Sequence, residues 1–449
     1  KLYQWTGSSW SATTLIANVR HGHSLQVADV NLDGHLDIFT AEMHTPGPGS
    51  GATARVLYGD SAGGFTEQVI SVGIGNHESR LGDLDGDGDL DILTKPYTWD
   101  TPRVDVWING IPHTLPLDQW QRTVVDASRP WTALFVGAAD IDGDGDRDLV
   151  TGGWWYANPG PGGGTWTRRT VGSPLNNMAA VYDFDGDGDM DILGTAGEGS
   201  ASNDTFVWAR NDGTGTFTVH ANIASGDGDF LQGAAVDRFS PGGPVQVALS
   251  WHAAGKGVQM LTVPADPTGG TWTWQRISAT SQDEALSSGD IDRDGDADLL
   301  LGTRWLRNDG AGWSAHTLNG AAGLPDRNRL ADVNGDGRLD AIVGYEAIGV
   351  PGKLAWYEQP AAATGTWTEH VIASTVVGPM SLDAADLDRD GDVDLVVGEH
   401  STTAPATARL WIFENADGAG GAWTAHLVHT GDEHHDGAIL RDIDLDGDL

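Results

Sequence analysis

Short apolar and β-branched runs alternate along the chain with stretches rich in Gly, Asp, Pro and Ser. No long stretch places apolar residues at helical spacing, so the pattern predicts short strands joined by tight turns. The runs also return in a fixed order. A strand-like run, the motif D-x-D-x-D-G-x-x-D and a second strand-like run recur with the first Asp at Asp29, Asp83, Asp140, Asp183, Asp290, Asp332, Asp386 and Asp442. A degenerate copy begins at Asp237, and successive spacings lie between 42 and 57 residues.

Each unit reads as four strands. In the second unit these are 79–82 before the Asp loop, 91–94 after it, 103–107 and 119–125. The fourth strand recurs around Trp166, Trp272, Trp367 and Trp423. Four strands at a period of about 53 residues predict an all-β fold, a β-propeller of four-stranded blades. A β-solenoid would show a shorter period and a string of sandwiches a much longer one. Eight complete units span about 23–429, with partial repeats at both ends, so one propeller over 1–449 is expected. Eight blades are expected, with seven and nine open. The first residues read as mid-strand and the last stop inside a motif, which predicts a piece of a longer protein.

Composition narrows the function. With 64 acidic against 25 basic residues, the formal net charge is −39, which argues against nucleic acid as a partner. There is no Cys, hence no disulfide and no thiolate metal site. No run of 18 apolar residues exists, so no membrane-spanning helix is expected.

The acids are concentrated in the loops, and that changes their meaning. Hard oxygen donors at alternating positions suit Ca²⁺, which takes six to eight oxygens. Mg²⁺ prefers to keep its waters. The predicted ligands are Asp29, Asn31, Asp33 and Asp37 in the first loop, and Asp83, Asp85, Asp87 and Asp91 in the second. They continue as Asp140, Asp142, Asp144 and Asp148, then Asp183, Asp185, Asp187 and Asp191. Next come Asp290, Asp292, Asp294 and Asp298, and Asp332, Asn334, Asp336 and Asp340. Asp386, Asp388, Asp390 and Asp394 complete seven full loops, and Asp442, Asp444 and Asp446 begin one that stops early. In the degenerate copy Phe239, Pro241 and Val245 stand at ligand positions, so no metal is expected there. About seven Ca²⁺ ions are expected, each fastening one hairpin, which makes their role structural.

Segments such as Leu81–Leu93 (LGDLDGDGDLDIL) resemble the FG-GAP or VCBS repeats of integrin-like propellers and bacterial secreted proteins. The resemblance covers essentially the whole chain. It implies a propeller with calcium on one face and ligand work on the other, in an extracellular or periplasmic setting. The segments HSLQVADVNLDGHLDIFTAEMH and WYANPGPGGGTWTRRTV also resemble the propeller part of aldos-2-ulose dehydratase, and propeller-type polysaccharide lyases are a related likeness. Neither supplies a catalytic motif that matches residue by residue.

Opposite the Asp loops lie the starts of the first strands and the ends of the second. Six residues before the first Asp of each loop stand His23 and His77 on neighbouring units, where other units carry different residues. The second-strand ends bring Glu42, His44, Lys95, Tyr97, Trp99, Trp155, Trp251, His252, Arg304, Trp305, Tyr345, Glu346, Glu399 and His400 to the same end. Aromatic platforms beside ionisable groups suit sugars, whose C–H faces stack while the hydroxyls hydrogen-bond.

Two readings follow. In an elimination on a carbohydrate, Arg304 or Lys95 would neutralise a carboxylate or enolate, His77 or His23 would act as base, and Tyr97 as acid. His23, His44, His77 and Glu42 could alternatively hold a further divalent metal at the channel mouth. In a lectin-like, adhesive or protein-interaction module, the same face binds without turnover. A scaffold for a catalytic domain outside this chain is a third possibility. A monomer with a carbohydrate or glycan ligand is expected.

Overall fold

A computed structural model provides the fold. It describes all residues except 8, 32–34, 44–50, 61–62, 74–75, 85–89, 96–103, 110–115, 132, 161–162, 199–203, 280, 283–284, 321–322, 433, 435–436 and 446–447. Among the described residues there are seven four-stranded antiparallel sheets, one three-stranded sheet and one two-stranded hairpin. The sheets are the blades of a β-propeller, as the repeat predicts. Contacts divide the chain into two compact units, 1–114 and 115–449.

In the first unit a hairpin pairs Leu2–Trp5 with Trp10–Thr13. Blade A follows, with strands Gly22–Ala28, Asp37–Glu42, Thr53–Gly59 and Phe65–Val72. Sheet B has Glu78–Gly82, Asp91–Lys95 and Asp105–Trp107. The first strands of A and B are clipped together by Gln26, whose amide donates to Ser79 O at 3.0 Å and accepts from Leu81 N at 2.7 Å.

The second unit holds six four-stranded blades, C to H. Their first strands are Val136–Ala139, Asn177–Tyr182, Leu231–Asp237, Ser287–Gly289, Pro325–Ala331 and Pro379–Ala385. Strand order within each blade follows the sequence, so each Asp loop joins a first to a second strand. The apolar cores lie between blades rather than within them. Trp208 and Leu193 of blade D, for example, share one buried cluster with Trp251, Leu249 and Trp272 of blade E. Burying these large aromatic side chains supplies most of the driving force for stacking one blade on the next.

The C-terminal segment fills a seventh position in this unit. On one side Ala438 N donates to Ser381 Oγ at 2.7 Å and Leu440 N to Asp383 Oδ2 at 2.8 Å, both in blade H. On the other side Ile443 O accepts from Asn158 of blade C at 3.1 Å. The run 119–125, expected as the fourth strand after 103–107, is not a strand. Sheet B has three described strands. Just ahead of that run, Leu117 is buried with Leu387, Val396, Ile412 and Leu440 in the second unit, because those apolar side chains give it a core.

Candidate metal loops and candidate ligand face

Each Asp loop needs backbone conformations that most residues avoid. The sixth loop residue has positive φ throughout the described loops, 94° at Gly145, 99° at Gly188 and 82° at Gly337, and glycine stands there each time. The fourth is Gly143, Gly186 or Gly335 in some loops and Arg293 or Arg389 in others, the arginines with φ near +60°. This double turn folds the carboxylates inward. Asp140, Asp142 and Asp148 offer oxygens within 4.8 Å of one another, and so do Asp183, Asp185 and Asp191, then Asp290, Asp292 and Asp294, then Asp386, Asp388 and Asp394.

These groups fit a calcium ion on three counts. All the donors are carboxylate oxygens, the hard donors calcium selects. Buried Asp142 Oδ1, Asp290 Oδ1 and Asp386 Oδ1 have no hydrogen-bond partner among the described residues. Burial and mutual repulsion also hold several loop carboxyls above their ordinary range, while the amide of Asp296 holds Asp294 below it. Desolvation pushes Asp148 to about 6 and Asp191, Asp298 and Asp340 to about 7, although backbone amides that donate to them pull the other way. Asp392 rises to about 7 through burial and the neighbouring Asp390. A divalent cation, when bound, neutralises these charges and joins the two strands that flank the loop.

The closing Asp has a second task that the motif alone does not reveal. Asp37, Asp91, Asp148, Asp191, Asp298, Asp340 and Asp394 are all fully buried. In each, Oδ2 accepts the amide of the second loop residue, for example Ile141 N at 2.9 Å and Val333 N at 3.1 Å. Oδ1 accepts an amide at the end of the third strand, such as Asn158 N at 2.8 Å or Asn211 N at 2.9 Å. That third-strand residue then reaches into the preceding blade. Asn109 donates to Val30 O at 3.0 Å, Asn211 to Ile141 O at 2.8 Å, Gln359 to Ile291 O at 2.9 Å and Asn415 to Val333 O at 3.0 Å. Asn308 reaches Phe239 O in the same way. In sheet B and blades D, F, G and H a chain of closing Asp and third-strand amide therefore ties the loop to the blade before it, and Asn158 of blade C reaches the C-terminal segment in the same way; blade A has Gly59 there and lacks the side-chain clamp. The recurring Asn after the third strand was a legible signal for this clamp.

Arginines also pair with loop carboxylates, Arg169 with Asp142 at 4.0 Å and Arg338 with Asp336 among them. Arg210 pairs with Asp185 and with Asp187, and Arg307 Nε lies 2.7 Å from Asp292. Asp33, Asp85, Asp87 and Asp446 lie outside the described residues, as do His44, Tyr97 and Trp99 of the opposite face.

On that opposite face the structure brings His23 and His77 together. Their rings stack with centroids 4.6 Å apart. His23 is exposed and His77 half-buried. Beside His77, Asn76 is 1% exposed, and neither its Oδ1 nor its Nδ2 has a partner among the described residues. Ser24 Oγ and Ser79 Oγ, next in sequence to His23 and Glu78, are buried and unpartnered in the same sense. Lys95 is exposed, and its carbonyl accepts from His77 N at 2.8 Å. Arg304, His252 and Glu346 are exposed in the second unit.

Several expected ligand contacts are instead structural. Trp155, Trp251 and Trp305 are fully buried between blades and have no surface to offer; Trp251 ends a second strand, but Trp155 and Trp305 stand in third strands rather than at the second-strand ends expected, and all three indoles enter inter-blade cores. Tyr345 is buried, its hydroxyl bonded to that of Tyr357 and its ring under Lys353 Nζ at 4.0 Å. His400 is buried as well. Glu42 and Glu399 hold the chain as it enters and leaves the blade. Glu42 accepts from Arg20 N at 3.1 Å and Thr53 N at 3.3 Å. Glu399 accepts from Val377 N at 3.0 Å, Arg409 N at 3.0 Å and Arg409 Nη2 at 2.6 Å.

Comparison with known proteins bears on the family alone. Among curated proteins, none matches the sequence. Solved structures similar to the chain include a candidate 6-phosphogluconolactonase from Bacteroides fragilis, 11% identical, with a TM-score of 0.40 over 90% of this chain and 97% of that one. A second from Bacteroides uniformis is 11% identical with a TM-score of 0.40, over 77% and 94%. The biofilm matrix protein Bap1 of V. cholerae is 13% identical, with a TM-score of 0.25 over 95% and 83%. Likenesses at these scores carry nothing further. The family model for the FG-GAP-like repeat matches residues 29–94, 140–194 and 332–397, each beginning on the first Asp of a loop described above. Three regions of this chain are therefore FG-GAP-like repeats, carried on a β-propeller.

Proposed function

We propose that this propeller works outside the cytoplasm, is stabilised by calcium in its Asp loops, and binds a carbohydrate at the blade ends opposite those loops. The observation that carries the ligand half is the stacked His23–His77 pair beside the buried, unpartnered amide of Asn76. A buried amide without a partner costs about 1–3 kcal/mol, and a sugar hydroxyl would remove that cost. Two imidazoles on adjacent first strands offer both a stacking face and hydrogen-bonding nitrogens. Lys95 lies one backbone hydrogen bond from His77 and could offset the charge of a uronic acid. Whether the site also eliminates across a C–O bond depends on an acid and a base in register, for which His23 and His77 are the candidates. The acidic surface fits a non-nucleic-acid partner, and no described helix is long and apolar enough to cross a membrane.

The test is binding of a uronic-acid polysaccharide panel in excess calcium, with absorbance read for a newly formed C=C bond. Saturable binding by the wild type and its loss in His23→Ala/His77→Ala, with unchanged thermal stability, is expected. Equal binding by both proteins would remove the site from the His pair. New absorbance that disappears in the double variant makes the protein a lyase, and binding without absorbance makes it a lectin-like module.

A further inference from the structure

We infer that the channel of the second unit holds a small oxyanion, a carboxylate or sulfate, between Arg329 and Arg441. The inference is independent of the His23–His77 site. The first strands line this channel, and the residue three before each loop's first Asp occupies an equivalent place on each. Around the unit these residues are Gly137, Ala180, Ala234, Ser287, Arg329, Asp383 and Ile439. Four consecutive small residues leave open space on one side, and a guanidinium stands on the other. The resulting cavity is about 270 Å³ and is walled by Gly137, Ala180, Ala234 and Ile439 together with both arginines. It falls just below the usual range of roughly 300–1,000 Å³ for ligand pockets, so it suits an anion or a single small acid rather than an oligosaccharide.

The charge balance in the cavity is unusual for this chain. Arg329 Nε donates to Asp383 at 2.6 Å and its Nη1 to Asn328 O at 2.8 Å. Asp383 also accepts from Leu440 N at 2.8 Å, and Arg441 lies 4.0 Å from the same carboxylate. Two guanidiniums thus share one carboxylate, in a protein whose formal net charge is −39. Arg329 Nη2 and Arg441 Nη2 make no hydrogen bond or ion pair among the described residues. Planar guanidinium donors facing an open, small-residue wall are suited to an oxyanion, which they can bind in bidentate fashion. Arg441 is half-exposed, so an anion can enter, whereas Asp383 is largely covered.

The experiment is isothermal titration calorimetry on the calcium-loaded full chain at low ionic strength, with sulfate, D-glucuronate and, as neutral control, D-glucose. Binding of sulfate and glucuronate without glucose binding is expected, with affinity falling steeply as salt is added. Arg441→Gln should weaken binding about ten-fold, the worth of one charge-assisted contact. Asp383→Asn removes the competing carboxylate and should strengthen binding by a similar factor, an opposite sign that loss of folding cannot imitate. Binding of glucuronate but not sulfate would assign the site to carboxylates, and sulfate alone to inorganic oxyanions. Equal affinity in the wild type, Arg441→Gln and Asp383→Asn, or no binding of either anion, would overturn the proposal.

Discussion

Replacing Asn211 by leucine tests the clamp between a loop and the blade before it. Asn211 is 1% exposed. Its Nδ2 donates to Ile141 O at 2.8 Å and Met190 O at 3.2 Å, and its Oδ1 accepts from Gly215 N at 3.2 Å. Leucine has the same branching and number of side-chain heavy atoms, so the change removes polar partners without opening a cavity. It strands a buried carbonyl at Ile141 and weakens two further contacts. An unsatisfied buried group costs about 1–3 kcal/mol, so a loss of roughly 2–4 kcal/mol is expected for the set. For a unit spanning 115–449, an unfolding entropy of about 2.1 cal/mol/K per residue gives a Tm change of ~1.4 °C per kcal/mol. Scanning calorimetry in saturating calcium should therefore show Tm lower by roughly 3–6 °C. Thr218→Ala, an exposed change on the same blade, should cost less than about 0.5 kcal/mol. A leucine variant that melts with the Thr218 control would show that the clamp contributes nothing to blade-to-blade stability.

Two further outcomes follow from the same geometry. Burial raises the closing carboxyls of Asp191, Asp298 and Asp340 to about 7, so the folded, calcium-free chain binds these protons more tightly than the unfolded chain does. The stability these three carboxyls contribute is then full below about pH 4, falls as pH rises towards 7 and is lost above that; the Tm of decalcified protein should fall over that window relative to the Tm of calcium-saturated protein, and identical slopes would contradict the reading. Glu399→Gln should destabilise by roughly 3 kcal/mol, because it breaks a buried carboxylate that holds Arg409 and two backbone amides, while leaving glycan affinity unchanged. Lost affinity at unchanged Tm would return Glu399 to the ligand face.

The repeat made the fold legible because blade spacing and the Asp motif are both written as residue types at fixed intervals. The His23–His77 stack was legible for the same reason, since equivalent positions on adjacent repeats meet when the first strands of neighbouring blades lie side by side. The fates of Trp155, Trp251 and Trp305 were not, because the sequence places them at the right end of the blade without saying which side of the strand they leave from. One residue of rotation separates a platform for sugar from an inter-blade core, and the structure puts all three in the core. Glu42 and Glu399 misled in a similar way. An ionisable residue at a blade end reads as ligand chemistry, but the incoming backbone there has free amides that need an acceptor. The run 119–125 has strand character in its alternation, yet partner choice is a long-range matter that the pattern does not encode.

Blade E, which has lost the motif, shows what the closing Asp does for the backbone around it. Val245 stands where the other blades have the buried Asp, and Val263 where all of them but blade A have the clamping Asn or Gln. The two changes belong together. With no carboxylate to receive it, the amide of residue 263 turns to Val245 O at 3.0 Å, so no backbone donor is stranded. Both valines are buried in the cluster that includes Phe184, Trp208 and Trp272, and Phe239 is buried in the cluster on the other side of the blade. A polar device of carboxylate and amide has been exchanged for apolar packing at the same place. Replacing only the Asp would have left two amides without acceptors, and replacing only the Asn would have left its carbonyl partner bare. The blade keeps its place because its Phe239 carbonyl still receives Asn308 from blade F, so the array of clamps resumes one blade later. Blade A sets the limit of this pairing: with Gly59 at the clamp position it has no side chain to reach its neighbour, yet it keeps Asp37, whose Oδ1 accepts the amide of Gly59 at 2.8 Å, so the bond between closing carboxylate and third-strand backbone amide is what the motif blades share, and the Asn or Gln clamp is built upon it.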